Sequence, residues 1–411
     1  MKPQYIVGMK RLLALSKTLR YEGYQHLSWR QLLAMNRLLS SEKLVKHEGR
    51  YVVNSFLPPF PSPAFAGLAS KVAQLRDAQQ STKLITPVSA YFAITDACRY
   101  NCPHCSKVGR KGKALTVDVW KRILREAQDL GVAILGFTGG EPLLCERLEE
   151  LIASVDERSV TFLFTAGDGL TEDRARALKA AGLFGAAVSL DSFDADEHDR
   201  GRGIKGAFKT ALKAIDCLQR AGLYTMTQIV ATKERCAPSW MQRYLDFTKA
   251  LGVHEVRLLE PMPCGRLLGE DAWRISTQQH DWLKSIHCTS NHTPSATKVS
   301  SFAFIEDADR YGCGAGFQHF YVDMLGNLQP CDFTPISFGN LQQTSLSHAL
   351  TEMQQTLRRP RGKCLMLAQG SELAKCPCEE TPIPASVATP YINFADTGKL
   401  PKFYRILGWK E

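Results

Sequence analysis

The chain has 411 residues, 44% of them apolar, which allows two to three domains with sizeable cores. No stretch approaches the ~18 apolar residues of a spanning helix, which excludes an integral membrane protein. Lys and Arg outnumber Asp and Glu by 51 to 41, for a formal charge of +10. That balance suits a nucleic acid, an anionic lipid, an acidic peptide or an acidic redox partner, and charge alone does not separate them.

Residues 1–50 hold ten Lys/Arg against three Asp/Glu, so +7 of the net charge sits at the N-terminus. Periodicity predicts helices over Ile6–Leu19 and Ser28–Leu39 and a hairpin over Leu44–Val53. Helices followed by a basic hairpin suggest a winged helix that captures an acidic partner. The competing reading is a packing extension with a solvated basic face. Asn54–Phe65, with four Pro and three Phe, predicts an extended linker that covers the barrel mouth or touches a membrane interface.

From Tyr91 onward, apolar β-rich runs alternate with amphipathic helical stretches. Strands are predicted at Tyr91–Thr95, Ala133–Phe137, Val160–Thr165, Gly185–Leu190, Tyr224–Ala231 and Glu255–Leu259. Helices are predicted between them at Val117–Leu130, Arg147–Val155, Glu172–Ala181, Ala207–Ala221 and Trp240–Leu251. Strict alternation predicts an α/β fold with a parallel sheet, and six units make a partial (β/α)6 TIM-like barrel. Expected boundaries are 1–85 for the N-terminal α/β extension and linker and 86–290 for the barrel. A small cysteine-rich auxiliary domain is expected over 300–385, and a C-terminal tail over 386–411.

The first strand leads into Cys98, Cys102 and Cys105, spaced Cys-x3-Cys-x2-Cys. Three thiolates this close can hold three irons of a cubane cluster whose usual complement is four Cys, leaving one iron open for chemistry. The alternative, structural zinc, wants four ligands in paired spacing. Phe137-Thr-Gly-Gly-Glu-Pro142 closes the second strand. Gly139 and Gly140 allow backbone to approach a ligand closely, and Glu141 places a carboxylate beside them. The triplet, Gly-Gly-Glu, Ser189/Asp191 and Glu260 all fall at C-terminal strand ends, where parallel βα folds gather ligand chemistry.

Downstream, Cys313 and Cys331 flank Gly326-Asn327, a hairpin turn pair, and Cys364, Cys376 and Cys378 follow. Five Cys suffice for one 4Fe–4S cluster and not for two; zinc is the alternative here also. Cys217 reads as a core thiol. Cys145 and Cys264 follow catalytic-end loops, so each is either a cavity-facing hydrogen-atom donor or a buried spectator; Cys236 and Cys288 have no readable context. Thirteen Cys without a visible signal peptide point to metal and a cytoplasmic setting, not to disulfides.

The Cys triplet followed by Gly-Gly-Glu-Pro resembles the radical S-adenosylmethionine superfamily, and the likeness extends over most of the chain. It implies a 4Fe–4S cluster on Cys98, Cys102 and Cys105, with S-adenosylmethionine chelated by the open iron. His104 fills the usually aromatic place before the third Cys. Ala187-Val-Ser-Leu-Asp191 is similar to the fourth-strand motif, which makes Ser189 and Asp191 candidates for the ribose and methionine ends. Arg202, in Asp196–Gly203, stands where the family often places an arginine near the carboxylate; a solvated loop charge is the other reading. A family Asn after the fifth strand has no counterpart, and Thr232-Lys-Glu-Arg235 stands there. Cys313, Gly326 and Cys331 resemble the opening of the SPASM or twitch extension. The later cysteines depart from it, because Cys364 is isolated and Cys376-Pro-Cys378 is tight. One auxiliary 4Fe–4S cluster is implied, on Cys313, Cys331 and two of the remaining three.

The resemblance implies an oxidoreductase or maturase that reductively cleaves S-adenosylmethionine to a 5′-deoxyadenosyl radical and abstracts hydrogen from substrate. A low-potential donor such as flavodoxin or ferredoxin would supply the electron. Oxidative modification of a ribosomally made peptide is the first expectation, and small-molecule, cofactor or lipid biosynthesis the second. A non-catalytic electron carrier or sensor is the third, disfavoured because a carrier needs neither an open iron nor Gly-Gly-Glu. Nothing resembles a base-stacking motif, which argues against nucleic acid.

Overall fold

The computed structural model describes residues 3–25, 27–78, 84–107 and 112–411. Six parallel strands make the barrel: β4 (Ser89–Thr95), β5 (Ile134–Gly139), β6 (Val160–Thr165), β7 (Leu183–Ser189), β8 (Tyr224–Val230) and β9 (Glu255–Leu259). They are preceded by β1 (Gln4–Ile6), β2 (Leu44–His47) and β3 (Arg50–Val52), which form a separate antiparallel sheet. The fold is α/β, as the alternation predicts.

The main sheet is wider than the six strands legible in the sequence. β10 (Lys298–Ser301) adds parallel to β9, and β11 (His319–Val322) adds parallel to β4, pairing His319 with Ser89. β12 (Leu328–Gln329) turns back antiparallel on β11 through Gly326-Asn327. The cysteine-rich region is therefore stitched directly onto the strand that leads into the Cys triplet.

Local chemistry sets the helices. Over Val117–Leu130, Trp120, Ile123, Leu124 and Ala127 face the sheet at helical spacing; Thr116 caps the start and left-handed Gly131 ends the helix. The linker is shorter than expected, because a helix begins at Pro63 and runs to Ala78, with the Ser62 hydroxyl accepting from the Phe65 N–H at 3.0 Å. Pro is well suited to a first helical turn, where its missing N–H costs nothing.

The N-terminal extension closes the floor of the barrel, at the end opposite the Cys triplet. Val45 and Val52 pack with Ile134, Val160, Phe162, Phe184, Tyr224 and Met226, which lie at or near strand starts. Buried Lys298 pairs with buried Glu42 at 2.7 Å, and Lys43 donates to the carbonyls of Thr293 and Ala296 at 2.6 Å each. Ser55 donates to Glu255 at 2.8 Å. Charged groups at the starts of β9 and β10 need partners once buried, and the extension provides them. The linker thus covers the barrel floor and not its mouth. Among the described residues, no helix is long and apolar enough to cross a membrane.

Candidate active site

The loop after β4 carries Cys98, exposed, and Cys102 and Cys105, half-buried. A turn from the Cys105 N–H to the Cys102 carbonyl draws the last two together, and Arg266 clamps the loop through its N–H to the Cys105 carbonyl at 3.0 Å. Across the strand ends, Gly140 and Glu141 donate to the carbonyls of Thr95 and Ala97, both at 2.7 Å. A Cβ at Gly139 would overlap the Thr95 oxygen, and one at Gly140 the oxygens of Ala97 and Asp96; Gly139 also has φ +139°. The motif needs glycine because two backbones touch there.

Glu141 is buried and ties β5 to β6: its carboxylate accepts from Thr165 Oγ1 (2.5 Å) and the N–H groups of Leu143 (3.0 Å) and Ala166 (2.7 Å). Burial nevertheless pushes its pKa up to about 7. A carboxylate has about four acceptor directions, so three bonds leave room for a ligand cation.

Arg202 is buried rather than solvated. Its Nη2 lies 2.7 Å from Asp191 Oδ2, and its Nη1 donates to the sulfur of Cys102 at 3.6 Å. Asp191 is wholly buried, with Arg235 Nη1 at 3.6 Å and His104 Nε2 at 4.0 Å. Burial alone would raise the Asp191 pKa, but Arg202, His104 and Arg235 outweigh it and hold it well below the carboxylate range. His104 is driven down to about 4 by burial and is neutral at physiological pH. Arg202 Nε is buried without a partner among the described residues. The donor set therefore fits the implied group: three thiols with no fourth, a cation beside one of them, and an orphan guanidinium N–H suited to a ligand carboxylate. Ser189 ends β7 on the same rim, half-buried.

The second cysteine site lies against the barrel's open side. Cys313 pairs through its backbone N–H with the Arg361 carbonyl at 2.9 Å, and Cys364 starts the helix Leu365–Leu373. The Cys313 thiol is pulled down by a hydrogen bond from Cys364, by the N–H groups of Ala315 and Leu365, and by nearby Arg361. Cys331 follows β12 and meets Thr334 Oγ1 at 3.1 Å. Cys313, Cys331, Cys364 and Glu306 line one cavity of about 100 Å³. Burial pushes the Cys331 thiol up and the bond to Cys313 does the same to Cys364, so only Cys313 is held toward the thiolate. Three thiols around one cavity suit an iron–sulfur cluster. Cys376 and Cys378 do not line that cavity.

Between this site and the end of β9 lies a larger chamber of about 390 Å³, lined by Glu260, His280, Glu306, Asp307, Lys363 and Cys364 among others. Glu260 Oε1 meets His280 Nδ1 at 2.6 Å, and this bond is the chief cause of the raised His280 pKa. Cys145 and Cys264 line neither cavity, and Cys264 is buried. One side chain links the two cysteine-bearing loops: Lys107, two residues past the triplet, donates to the Asp332 carbonyl at 2.8 Å, next to Cys331.

Sequence reasoning missed Arg235, His280 and Glu306. Arg235 sits in the segment that lacked the family Asn, so a cation there was the available signal. His280 and Glu306 had none, since each meets the site from a separate helix or helix end.

Comparison with known proteins agrees with this geometry. Residues 92–234 match the family described as the radical SAM superfamily, and residues 313–378 match an iron–sulfur cluster-binding domain, SPASM. The chain belongs to the radical SAM superfamily and carries a C-terminal SPASM domain. Members of this superfamily are enzymes, and the two domains imply 4Fe–4S clusters and bound S-adenosylmethionine. Among curated relatives, an AdoMet-dependent heme synthase of Nitratidesulfovibrio vulgaris is 24% identical over 299 residues, 66% of this chain and 79% of the relative. A PqqA peptide cyclase of Granulibacter bethesdensis is 31% identical over 198 residues, 47% of this chain and 52% of that relative. Crystallised SuiB of Streptococcus suis with S-adenosylmethionine matches with TM-score 0.56 and 16% identity, covering 79% of this chain and 82% of that one. SuiB has also been solved with its precursor peptide SuiA (TM-score 0.54, 16% identity, 70% and 69% covered).

Proposed function

We propose that this chain oxidatively modifies a ribosomally made peptide by radical chemistry. When bound, the cluster and S-adenosylmethionine supply a carbon radical that takes a hydrogen atom from an unactivated position. Cys98, Cys102 and Cys105 hold the cluster; Gly139 and Gly140 admit the ligand close to backbone, and Glu141 accepts its ammonium. Arg202 takes its carboxylate while Asp191 fixes the guanidinium, and Ser189 and His104 face the remainder. Glu260 and His280 hold or move a proton in the chamber. Cys313, Cys331 and Cys364 would hold one auxiliary cluster, which would supply an electron acceptor for the oxidation. A cytoplasmic low-potential carrier, a flavodoxin or ferredoxin, supplies the reducing electron.

The observation that carries the peptide reading is an apolar and basic face on the N-terminal helices. Met9 (70% exposed), Leu13 (62%) and Trp29 (66%), with Leu12, Leu19 and Leu33, stand in water beside Lys10, Lys17, Arg20, Arg30 and Arg37. A small molecule needs no such surface, whereas an acidic amphipathic peptide segment matches it in both apolarity and charge. The test is anaerobic turnover with peptides encoded beside the gene. Loss of two hydrogens from the peptide, and weaker binding to Leu13→Asp/Trp29→Asp protein and at high salt, is the expected result. Full affinity of that variant for the modified peptide would overturn the capture role.

A second reading, oxidative decarboxylation of a tetrapyrrole, is favoured by one observation: the heme-synthase match spans more of this chain than the peptide-cyclase match. Carbon dioxide released from an iron porphyrin carboxylate, with no peptide turned over, would establish it instead.

A further inference from the structure

We infer that Glu306 supplies the fourth, oxygen ligand of the auxiliary iron–sulfur cluster. The inference rests on reading Cys313, Cys331 and Cys364 as ligands of that cluster.

A cluster of this type ordinarily takes four protein ligands, and the cavity offers three sulfurs. The two cysteines expected to compete for the fourth place do not line the cavity, and the Cys378 sulfur lies 4.0 Å from the Glu380 carbonyl. Glu306 fills the vacancy in the donor set. It ends the short helix Phe302–Ile305 that follows β10, and its backbone N–H is fixed by the Phe302 carbonyl at 2.8 Å. One carboxylate oxygen and the sulfurs of Cys313 and Cys364 all lie within 4.8 Å of one another.

Electrostatics argues for a cation at this spot. Among the described residues, the Glu306 carboxylate accepts no hydrogen bond and pairs with no cation, and the charged groups that bear on it are Cys313, Asp332 and Glu260, all acidic. The lysines nearest the chamber are engaged by other acids: Lys284 with Asp281 and Asp307, and Lys363 with Asp396. A half-buried carboxylate among like charges is disfavoured unless a metal or donor meets it. A cluster iron whose one protein ligand is the Glu306 carboxylate would meet it. A harder, less electron-donating ligand than thiolate raises the reduction potential of the cluster, as replacement of Cys by His does, and a higher potential suits an electron acceptor.

The test uses full-length protein with Cys98→Ala, Cys102→Ala and Cys105→Ala, reconstituted anaerobically so that only auxiliary iron remains. Iron content, the paramagnetic resonance spectrum of the reduced cluster and its midpoint potential are measured. In that background Glu306→Cys is expected to keep about four irons, lower the midpoint potential and change the g-values. Glu306→Ala is expected to lose one iron in four and give an oxidised three-iron signal. Cys376→Ala and Cys378→Ala are expected to change nothing. Glu306 variants with unaltered iron, spectrum and potential would overturn the inference, as would iron loss in either cysteine variant. A parent protein that holds zinc and no iron would instead overturn the underlying reading of the second site.

Discussion

Arg202 lies between Asp191 and Cys102, 2.7 Å from the carboxylate oxygen and 3.6 Å from the sulfur. Asp191 follows β7, and Arg202 ends the helix Ala195–Arg202, so one strand–helix unit delivers a fixed positive charge to the cysteine loop. Arg235 lies 3.6 Å from the other oxygen of Asp191, so this one buried carboxylate anchors two guanidinium groups.

Arg202→Met should cost about 3–5 kcal/mol of stability, the range for removing one partner of a buried ion pair. Arg202→Lys should recover part of the stability but not the forked geometry. Denaturant melts measure the first effect. The paramagnetic spectrum of the primary cluster, with and without S-adenosylmethionine, measures the second, and an unchanged ligand-induced shift in Arg202→Lys would dismiss the carboxylate role.

Replacing Cys98, Cys102 and Cys105 together by Ala should remove about four irons per chain and abolish formation of 5′-deoxyadenosine under dithionite. Residual iron should remain at Cys313, Cys331 and Cys364. Persistent 5′-deoxyadenosine would place the cleavage chemistry elsewhere in the molecule.

Gly139→Ala or Gly140→Ala forces a methyl into the backbone of Thr95, Asp96 or Ala97. The contact is with main chain, so the loop bearing Cys98 must move. Overpacking of this kind costs about 1–3 kcal/mol, and S-adenosylmethionine affinity should fall further than stability. Calorimetric titration beside a thermal melt separates the two.

Glu42 is buried, yet Lys298 and His287 outweigh the upward push of burial and hold its pKa at about 2. A depressed carboxylate contributes stability that is complete above its ordinary pKa near 4.3 and is lost as pH falls towards 2. Glu42→Gln should flatten the acid limb of the melting curve between those values and cost about 3–5 kcal/mol at neutral pH, as for any broken buried pair. Deleting residues 1–80 strands Lys298 and leaves Glu255 with Tyr224 but without Ser55, and should give insoluble protein. A soluble truncation with a normal melting temperature would show that the barrel floor closes without the extension.

Glu260→Gln and His280→Gln should leave uncoupled S-adenosylmethionine cleavage intact and lower substrate turnover about 10²–10⁴-fold, the usual worth of positioned proton transfer. Parallel assays of 5′-deoxyadenosine and modified product check this. Equal losses in both would mean that the pair supports the fold and not the chamber.

The six barrel strands and the five helices read between them were legible because each carries its own periodicity, whereas Ala195–Arg202, read as a loop, is a helix. The helix Val117–Leu130, for example, has its cap, apolar stripe and terminal glycine within sixteen residues. β10 and β11 were not, since four residues such as Lys298–Ser301 hold too little pattern and gain their stability from neighbours β9 and β4. The Cys triplet and Gly-Gly-Glu could be read from the chain alone because their ligands are neighbours in sequence, and spacing fixes their geometry. The burial of Arg202, the pairing of Glu260 with His280 and the meeting of Glu306 with Cys313 and Cys364 join segments far apart along the chain. Only tertiary packing decides which charges lose their water and so which partners they must find.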